Sequence, residues 1–329
     1  MDTVLNQIGN TPLVKLKQAS ESTGCHIYGK AEYFNPGESV KDRAALFIVQ
    51  DALKRKLITK GGTIVEGTAG NTGIGLAIVC KEFDLNLKIV IPKTQSIEKK
   101  DTLKKLGAEL IEVDAVPYSN PKNYIKQSKQ IAEELSKNNS NGVYWANQFD
   151  NVVNAEAHIQ STAEEIWSQT AGSIDGFTCA AGTGGTLAGV SVGLKNKNKN
   201  IKIALSDPMG SSLYSHIKNK KLESIGNSIT EGIGTGRITK NFDKALVDDA
   251  FQTNDTEALN LVYDLIEKQK IVLGGSSGIN IAGAIKLAKQ MGPGKTIVTI
   301  LCDHGKRYAS KIFNKNFLKS KNLPIPKWL

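Results

Sequence analysis

The chain has 329 residues, of which 40% are hydrophobic, and a formal net charge of +10 at pH 7. This length suits two domains or one large α/β unit with a sizeable core. The lysines are spread along the chain, and the short runs at 195–202 and 218–221 lack interleaved aromatic residues. No zinc-finger or RNA-binding signature accompanies them, which argues against a nucleic-acid partner. The charge suits an anionic small-molecule ligand.

The cysteines indicate a reducing environment. Cys80 and Cys179 lie in apolar segments, and neither Cys25 nor Cys302 forms a CxxC pair. This usage favours reduced, buried thiols over disulfides or zinc ligands, and the histidines form no cluster, so we expect no metal. The chain shows no signal-peptide pattern and no apolar run long enough to span a bilayer. We therefore expect a soluble, cytoplasmic protein without a membrane partner.

The first distinctive segment is NPGESVKDR at 35–43, which precedes an amphipathic helix. Ser39 is the expected N-cap, and Asp42 three residues later completes a capping-box pattern. Lys41 then lies in the first helical turn, where the helix dipole disfavours a cation. Such a position favours the uncharged amine that a Schiff-base lysine needs. On this motif alone, a solvated surface lysine remains the alternative.

The next segment alternates between strands and helices. Strands are predicted at 63–65, 87–91 and 110–113, and a helix at 97–106. Between the first two strands lies the turn TAGNTG at 68–73, which opens a helix. Its polar residues Thr68, Asn71 and Thr72 suit a carboxylate guest, and a plain turn with a left-handed Asn is the alternative. The alternation predicts a parallel sheet with helices on both faces.

The same alternation repeats after about residue 150. Strands are predicted at 174–181, 201–205, 246–253 and 296–302, and helices at 155–168, 255–269 and from a GGSSG loop at 274–278 to 291. We expect residues 206–237 to be irregular and the tail, 311–329, to lie on the surface. Two α/β units with a boundary near 150 follow from this pattern.

The turn GTGGT at 182–186 is the better candidate for a phosphate site. It follows a strand and opens a helix, so that backbone N–H groups and two threonine hydroxyls point towards a ligand. Leu187 occupies the position where the dinucleotide fingerprint requires glycine, and a Walker A motif is absent. A tight strand–helix turn without a ligand is the alternative.

Six motifs in chain order carry a resemblance to a known family: NPGESVKDR, EGTAGNTGIGLA, NQFDN, GTGGT, EGIG and GGSSGIN. Together with the opening IGNTPLVKL they resemble the cysteine synthase / cystathionine β-synthase family, enzymes that depend on pyridoxal phosphate (PLP). The resemblance implies fold type II, like the tryptophan synthase β subunit, with two parallel-sheet α/β domains and the active site between them. It assigns residues 40–149 to a smaller domain with the substrate carboxylate loop. Residues 1–39 and 150–329 form a larger domain with the phosphate loop.

The resemblance also implies roles for single residues. Lys41 would hold PLP as a Schiff base and remove the substrate's Cα proton. Asn71 would hydrogen-bond the ring hydroxyl, and Ser276 would face the pyridine nitrogen. A neutral partner for this nitrogen favours expulsion of a β-substituent over transamination. The phosphate would be bound by Gly182, Thr183, Gly184, Gly185 and Thr186, and the substrate carboxylate by Thr68, Gly70, Thr72 and Gln148.

Two positions depart from the family pattern. Ala69 replaces a serine that many members carry, and Arg237 replaces an apolar or aromatic residue. A contact of Arg237 with an anionic substrate group, such as the phosphate of O-phosphoserine, is one hypothesis, and a surface arginine is the alternative.

The implied reaction is β-replacement on O-acetyl-L-serine by sulfide, which gives L-cysteine and acetate. Cystathionine β-synthase (serine and homocysteine), O-phosphoserine sulfhydrylase and serine/threonine dehydratase remain alternatives. A non-catalytic binding protein is disfavoured because Lys41, Asn71 and Ser276 are all retained. The family is usually homodimeric.

Overall fold

The structure, a computed structural model, describes residues 3–329. Within them lie ten β-strands and twelve α-helices. The strands are β1 Leu13–Lys15, β2 His26–Ala31, β3 Thr63–Gly67, β4 Asn86–Pro92, β5 Glu109–Val113, β6 Val143–Trp145, β7 Gly176–Cys179, β8 Lys202–Pro208, β9 Asp249–Thr253 and β10 Thr296–Leu301. The helices are α1 Lys17–Thr23, α2 Lys41–Lys54, α3 Asn71–Glu82, α4 Ile97–Lys105, α5 Tyr124–Leu135, α6 Val153–Ala157, α7 Glu164–Gln169, α8 Gly185–Lys197, α9 Leu213–Asn219, α10 Asp255–Gln269, α11 Gly275–Met291 and α12 Lys315–Ser320.

The larger sheet has six strands in the order β1-β2-β10-β7-β8-β9. All neighbours pair in parallel except β1, which lies antiparallel to β2 at the edge. Strand β10 shows why helices cover both faces. Ile297 and Leu301 pack into one hydrophobic cluster, and Val298 and Ile300 pack into another. This two-residue period places apolar side chains on both sides of the strand, as parallel sheets require.

The smaller sheet has four parallel strands in the order β5-β4-β3-β6. Its core joins Ile64 and Ile89 of the strands to Ile48 of α2 and Leu76 of α3. The fold class expected from the sequence, two α/β units built on parallel sheets, is therefore confirmed, with the addition of the antiparallel edge strand β1. The domain limits at 40 and 149 remain predictions. No helix between residues 3 and 329 is both long and apolar enough to cross a membrane.

The predicted capping box at the start of α2 is wrong. The Ser39 hydroxyl accepts the N–H of Lys41 at 3.3 Å, but the Asp42 carboxylate accepts the N–H of Gly37 and not that of Ser39. A Cβ on Gly37 would lie 2.4 Å from Asp42 Oδ1, so only glycine permits this close approach. Asp42 therefore closes the turn that leads into the helix.

Three further expectations were wrong. The GGSSG segment is not a loop, because α11 begins at Gly275 and its inward face is fully packed. The segment expected to be irregular contains α9, Leu213–Asn219. The tail is not simply a surface segment, since Ile312 and Leu318 are buried in a cluster with residues of α10. In each case tertiary packing outweighs local propensity.

The glycine-rich turns lie where parallel strands end. TAGNTG follows β3, GTGGT follows β7, and Cys302 and Asp303 follow β10. The carboxyl ends of parallel strands are the usual place for ligand sites in α/β folds. The topology thus brings the candidate motifs towards one region.

Candidate active site

A cavity of about 460 Å³ contains most of the predicted site residues. Its walls include Lys41, Thr68, Asn71, Thr72, Gln148, Gly182, Thr183, Arg237 and Ser276. A smaller cavity is lined by Lys41, Gly182, Thr183, Gly184 and Thr186. Lys41 lines both cavities, while Gly70 and Gly185 line neither. The structure therefore brings together residues from motifs that are far apart in the sequence.

Lys41 is held in place by a buried ionic cluster two residues further along α2. The Arg43 guanidinium donates to Glu32 at 2.7 and 2.8 Å and to Glu165 at 2.6 and 2.8 Å. Lys30 Nζ lies 2.6 Å from the Glu165 carboxylate. The cluster therefore contains two cations, Arg43 and Lys30, and two carboxylates. This cluster anchors the first turn of α2 to β2 and α7.

The backbone of the GTGGT loop is packed from behind. A Cβ on Gly182 would lie 2.2 Å from the Gly232 carbonyl oxygen, and one on Gly185 would lie 2.1 Å from Asn154 Oδ1. Gly184 has φ +84°, and a Cβ there would meet Phe242 at 2.6 Å. Side chains at these positions would push the loop away from its supports. The first N–H groups of α8 have no intrahelical acceptor, which is the general property that lets a helix start bind an anion, and Thr186 of this turn lines the smaller cavity.

Both threonine hydroxyls of this loop are positioned by buried side chains. Asn154 Nδ2 donates to Thr183 Oγ1 at 3.0 Å and to the Gln148 carbonyl oxygen at 2.8 Å. Thr186 Oγ1 lies 3.2 Å from His158 Nε2, and His158 Nδ1 lies 2.8 Å from Thr162 Oγ1. Burial lowers the pKa of His158 to about 3, so its imidazole is neutral at physiological pH.

The His158 environment predicts a loss of stability in acid. An unfolded-state histidine titrates near 6.5, whereas His158 in the folded state stays neutral until about pH 3. Between these two pKa values the unfolded state binds more protons than the folded state, so the folded state loses stability as the pH falls. The contribution of the neutral His158 to the free energy of unfolding is complete above pH 6.5 and decreases by at most about 1.4 kcal/mol per pH unit below it. In urea unfolding between pH 7 and 4, His158→Gln should therefore show a shallower pH dependence than the parent.

His26→Gln is the matched control, because His26 is exposed. The free energy of unfolding should depend on pH with the same slope in the parent and in this control. An unchanged slope in His158→Gln would contradict the prediction.

The TAGNTG turn at 68–73, the predicted carboxylate loop, is hydrogen-bonded within itself and to Gln148. Thr68 Oγ1 accepts the N–H of Gly70 at 3.0 Å, and Thr72 Oγ1 donates to Gln148 Oε1 at 2.5 Å. Gln148 Nε2 donates to Glu66 Oε1 at 3.0 Å and to the Gly67 carbonyl at 3.2 Å. A substrate carboxylate at this loop can therefore accept from the Thr68 hydroxyl hydrogen and from the first-turn N–H groups of α3, whereas the Thr72 and Gln148 donors are already used within the loop.

Glu66 lies beneath this loop and is 1% exposed. Burial raises its pKa to about 8, against the lowering effect of its hydrogen bonds from Gln148. The carboxyl is therefore mostly uncharged at neutral pH and does not repel a substrate carboxylate above it.

The two residues predicted to contact the cofactor ring lie in the larger cavity. Asn71 opens α3, and its carboxamide is hydrogen-bonded to Asp303 and Arg307. Ser276 lies in the first turn of α11 and is 5% exposed. The neighbouring Ser277 hydroxyl accepts the N–H of Cys302 at 2.9 Å, which ties α11 to the end of β10.

Arg237 lies in the cavity wall but is paired within the protein. Its guanidinium donates to both carboxylate oxygens of Asp150, at 3.0 and 2.9 Å. It also stacks over the Tyr118 ring, 4.4 Å from the centroid. Arg237 is therefore a partly exposed arginine with its own carboxylate partner, and both a substrate contact and a surface role stay predictions.

Sequence reasoning missed the charges around the larger cavity. Glu231 bonds Lys99 at 2.6 Å and also contacts Lys311, and all three line the cavity. Asp303 and Arg307, which hold Asn71, were missed as well. EGIG was recognised as a motif, yet nothing local indicates which cations Glu231 meets.

Comparison with known proteins agrees with this geometry. Residues 4–303 match the family described as "Pyridoxal-phosphate dependent enzyme". Cysteine synthase 1 of Neurospora crassa is 50% identical over 321 residues, which cover 96% of this chain and 84% of that protein. The chain belongs to the family of pyridoxal-phosphate-dependent enzymes. The resemblance inferred from its motifs is thereby confirmed, and PLP is its cofactor.

Two solved structures share the fold. A hydrogen sulfide-producing enzyme from Fusobacterium nucleatum superposes with a TM-score of 0.84 at 37% identity, covering 94% of this chain and 99% of the other. An O-acetylserine-dependent cystathionine β-synthase from Helicobacter pylori gives a TM-score of 0.85 at 32% identity, covering 94% and 98%. The chain is therefore a fold type II PLP enzyme.

The residues present fit PLP. The glycine loop offers backbone donors and two positioned hydroxyls for the phosphate, and Lys41 offers the amine for the aldehyde carbon. Asn71 and Ser276 would hold the ring hydroxyl and the ring nitrogen. These individual roles remain predictions that the arrangement supports.

Proposed function

We propose that this enzyme is a cysteine synthase that converts O-acetyl-L-serine and sulfide to L-cysteine and acetate. One observation carries the proposal: Lys41 lines the same cavity as Gly182 and Thr183 of the phosphate loop and Thr68, Thr72 and Gln148 of the carboxylate site. An amine in this position serves both the cofactor and an amino acid held by its carboxylate. The Neurospora crassa relative, which is named cysteine synthase 1, supports the same reaction.

The chain's own residues define the catalytic steps. Thr68, Thr72 and Gln148, together with the start of α3, orient the substrate carboxylate. Lys41 Nζ accepts the Cα proton, as a positioned general base does. PLP, when bound, withdraws electrons from Cα and so permits loss of the β-substituent. The Ser276 hydroxyl provides a neutral partner for the ring nitrogen, which favours β-replacement.

The leaving group is proposed to be acetate. A phosphate leaving group needs an uncompensated cation in the cavity, and the Arg237 charge is already offset by Asp150. Lys99 and Lys311 share the single carboxylate of Glu231, so this group keeps one excess positive charge and does not by itself exclude a phosphate. The structurally similar Helicobacter pylori enzyme, which is described as O-acetylserine-dependent, supports the same donor.

Arg237→Ala should lower kcat/KM for O-acetylserine and for O-phosphoserine by the same factor, about tenfold or less. The residue positions Tyr118 at the cavity wall, and a cation–π contact of this kind contributes about 1 kcal/mol. Initial rates with both donors and sulfide measure the two factors. Arg55→Ala is a matched control, because Arg55 forms an exposed pair with Asp51. A loss confined to O-phosphoserine would show that Arg237 binds the phosphate.

The reaction itself is tested by product analysis of the PLP-loaded enzyme. O-acetylserine with sulfide should give cysteine at a rate well above serine with homocysteine or O-phosphoserine with sulfide. Cystathionine as the dominant product would instead identify a cystathionine β-synthase. Pyruvate formation without a nucleophile would identify a dehydratase.

We also propose a cytoplasmic homodimer. Cys25, Cys80 and Cys179 are free and buried, which suits a reducing compartment. The homodimer rests on the family resemblance alone. Sedimentation of the purified enzyme tests the oligomer, and microscopy of a tagged chain tests the compartment.

A further inference from the structure

The carboxamide of Asn71 lies between two buried residues of opposite charge. Its Nδ2 donates to Asp303 Oδ2 at 2.6 Å, and its Oδ1 accepts from Arg307 Nη1 at 2.7 Å. Asp303 is 1% exposed and Arg307 is 4% exposed, so water does not screen either charge effectively. The NH₂ group of the carboxamide thus faces the negative charge, and its oxygen faces the positive charge.

This arrangement permits one orientation of the amide. A flipped Asn71 would place its carbonyl oxygen against the Asp303 carboxylate and its NH₂ group against the Arg307 guanidinium. Two acceptors would then face each other at Asp303, and two donors would face each other at Arg307. Polar groups without a hydrogen-bond partner are costly in a buried site. The carboxamide has two N–H bonds, and Asp303 takes one of them. The other N–H is left for a ligand in the cavity.

The two charged residues are themselves held firmly. Tyr308 Oη donates to the same Asp303 oxygen at 2.6 Å. The other oxygen of Asp303 packs against Gly274, where a Cβ would lie 2.3 Å away. Arg307 also donates to the carbonyl oxygen of Gly37, in the turn before Lys41. The group therefore connects the start of α3 with the loop that leads to the lysine.

We propose that Asp303 and Arg307 are positioning residues that make Asn71 present an N–H, and not its carbonyl oxygen, to the ring hydroxyl oxygen of PLP. An N–H at this point stabilises the ring oxygen in its anionic form, because hydrogen bonds to anions are the stronger ones. A carbonyl oxygen there would repel it. The inference rests on the predicted place of Asn71 at the cofactor ring. It does not depend on which amino acid is the substrate.

The test uses the absorbance spectrum of the purified PLP-loaded enzyme without substrate, recorded from pH 6 to 9. Lysine-bound PLP absorbs in the visible when its ring oxygen is anionic and in the near-ultraviolet when that oxygen is protonated. Asp303→Asn should raise the near-ultraviolet share about twofold or more, because a charge-assisted hydrogen bond becomes a weaker neutral one. Arg307→Lys keeps the buried charge but loses the planar fork, and should shift the spectrum in the same direction.

Tyr308→Phe is the comparison variant, since it removes the second hydrogen bond to Asp303 Oδ2 but keeps the Asp303 charge and both hydrogen bonds of the Asn71 carboxamide. Its spectrum should match the parent's even if its melting temperature falls. Equal spectral shifts in Asp303→Asn and Tyr308→Phe would overturn the proposal, because they would indicate general loss of packing. A parent-like spectrum in both Asp303→Asn and Arg307→Lys would overturn it too.

Asn71→Ala tests the premise separately. A shift in this variant places Asn71 at the ring. No shift would remove the premise and with it the proposal, while the proposed cysteine synthase reaction, measured by product formation, would be unaffected.

Discussion

Replacing Lys41 with alanine should abolish cysteine formation and the visible absorbance of the bound cofactor. The loss of a general base alone lowers turnover by about 10²- to 10⁴-fold, and Lys41 is also the predicted covalent attachment point. Rates with O-acetylserine and sulfide, and spectra after incubation with PLP and gel filtration, measure both effects. The start of α2 should fold normally, since Arg43 and not Lys41 anchors it.

Lys60→Ala is a suitable control, because the Lys60 side chain is 81% exposed in a surface pair with Asp84. It should retain both the spectrum and the rate of the parent. A Lys41→Ala protein that kept the visible band and comparable turnover would refute the assignment and would favour one of the other cavity lysines.

Arg43→Met should lower the free energy of unfolding by about 3–5 kcal/mol, the usual consequence of removing one partner from a buried ion pair. Methionine replaces the volume of the arginine stem but leaves Glu32 without its cation. Burial raises the pKa of Glu32, but Arg43, together with Thr11 and Lys30, more than offsets burial and holds the pKa at about 2. Urea unfolding of the parent and the variant at pH 7 measures the difference.

If the loss of stability comes from the unpaired Glu32 charge, the difference in unfolding free energy between the parent and Arg43→Met should vary with pH. Glu32 has a folded-state pKa of about 2 and an ordinary value of 4.5, so its stabilising contribution is complete above 4.5 and is lost as the pH falls towards 2. In Arg43→Met the cation no longer offsets burial, so the Glu32 carboxyl takes up a proton at higher pH in the folded state than in the unfolded state. The destabilisation should therefore shrink between pH 7 and 4, where the parent's own contribution is nearly constant. A constant difference would indicate lost packing instead.

Arg55→Met is the matched control for this experiment. Arg55 is 57% exposed and pairs with Asp51 one helical turn away in the same helix. Exposed pairs of this kind contribute little to stability. A melting temperature of Arg43→Met close to that of Arg55→Met would contradict the predicted role of the buried cluster.

The class of fold and the centres of the site could be predicted from local sequence patterns. Strand and helix periods are local properties, so the βα alternation and both glycine turns were recognisable without a structure. The helix over 255–269 was predicted with its observed limits. Lys41 also stood out locally, because a lysine in a first helical turn opposes the helix dipole.

The pairing of buried charges emerged only from the folded chain. Arg43 bonds Glu165 across 122 residues, and Asn71 bonds Asp303 across 232. Such partners are chosen by packing and desolvation in the folded state, for which no local pattern exists. The same reason explains the capping-box error, since the approach of Asp42 to Gly37 depends on how the loop packs. The residues predicted to do the chemistry were recognisable in the sequence, but the residues that hold them in place were not.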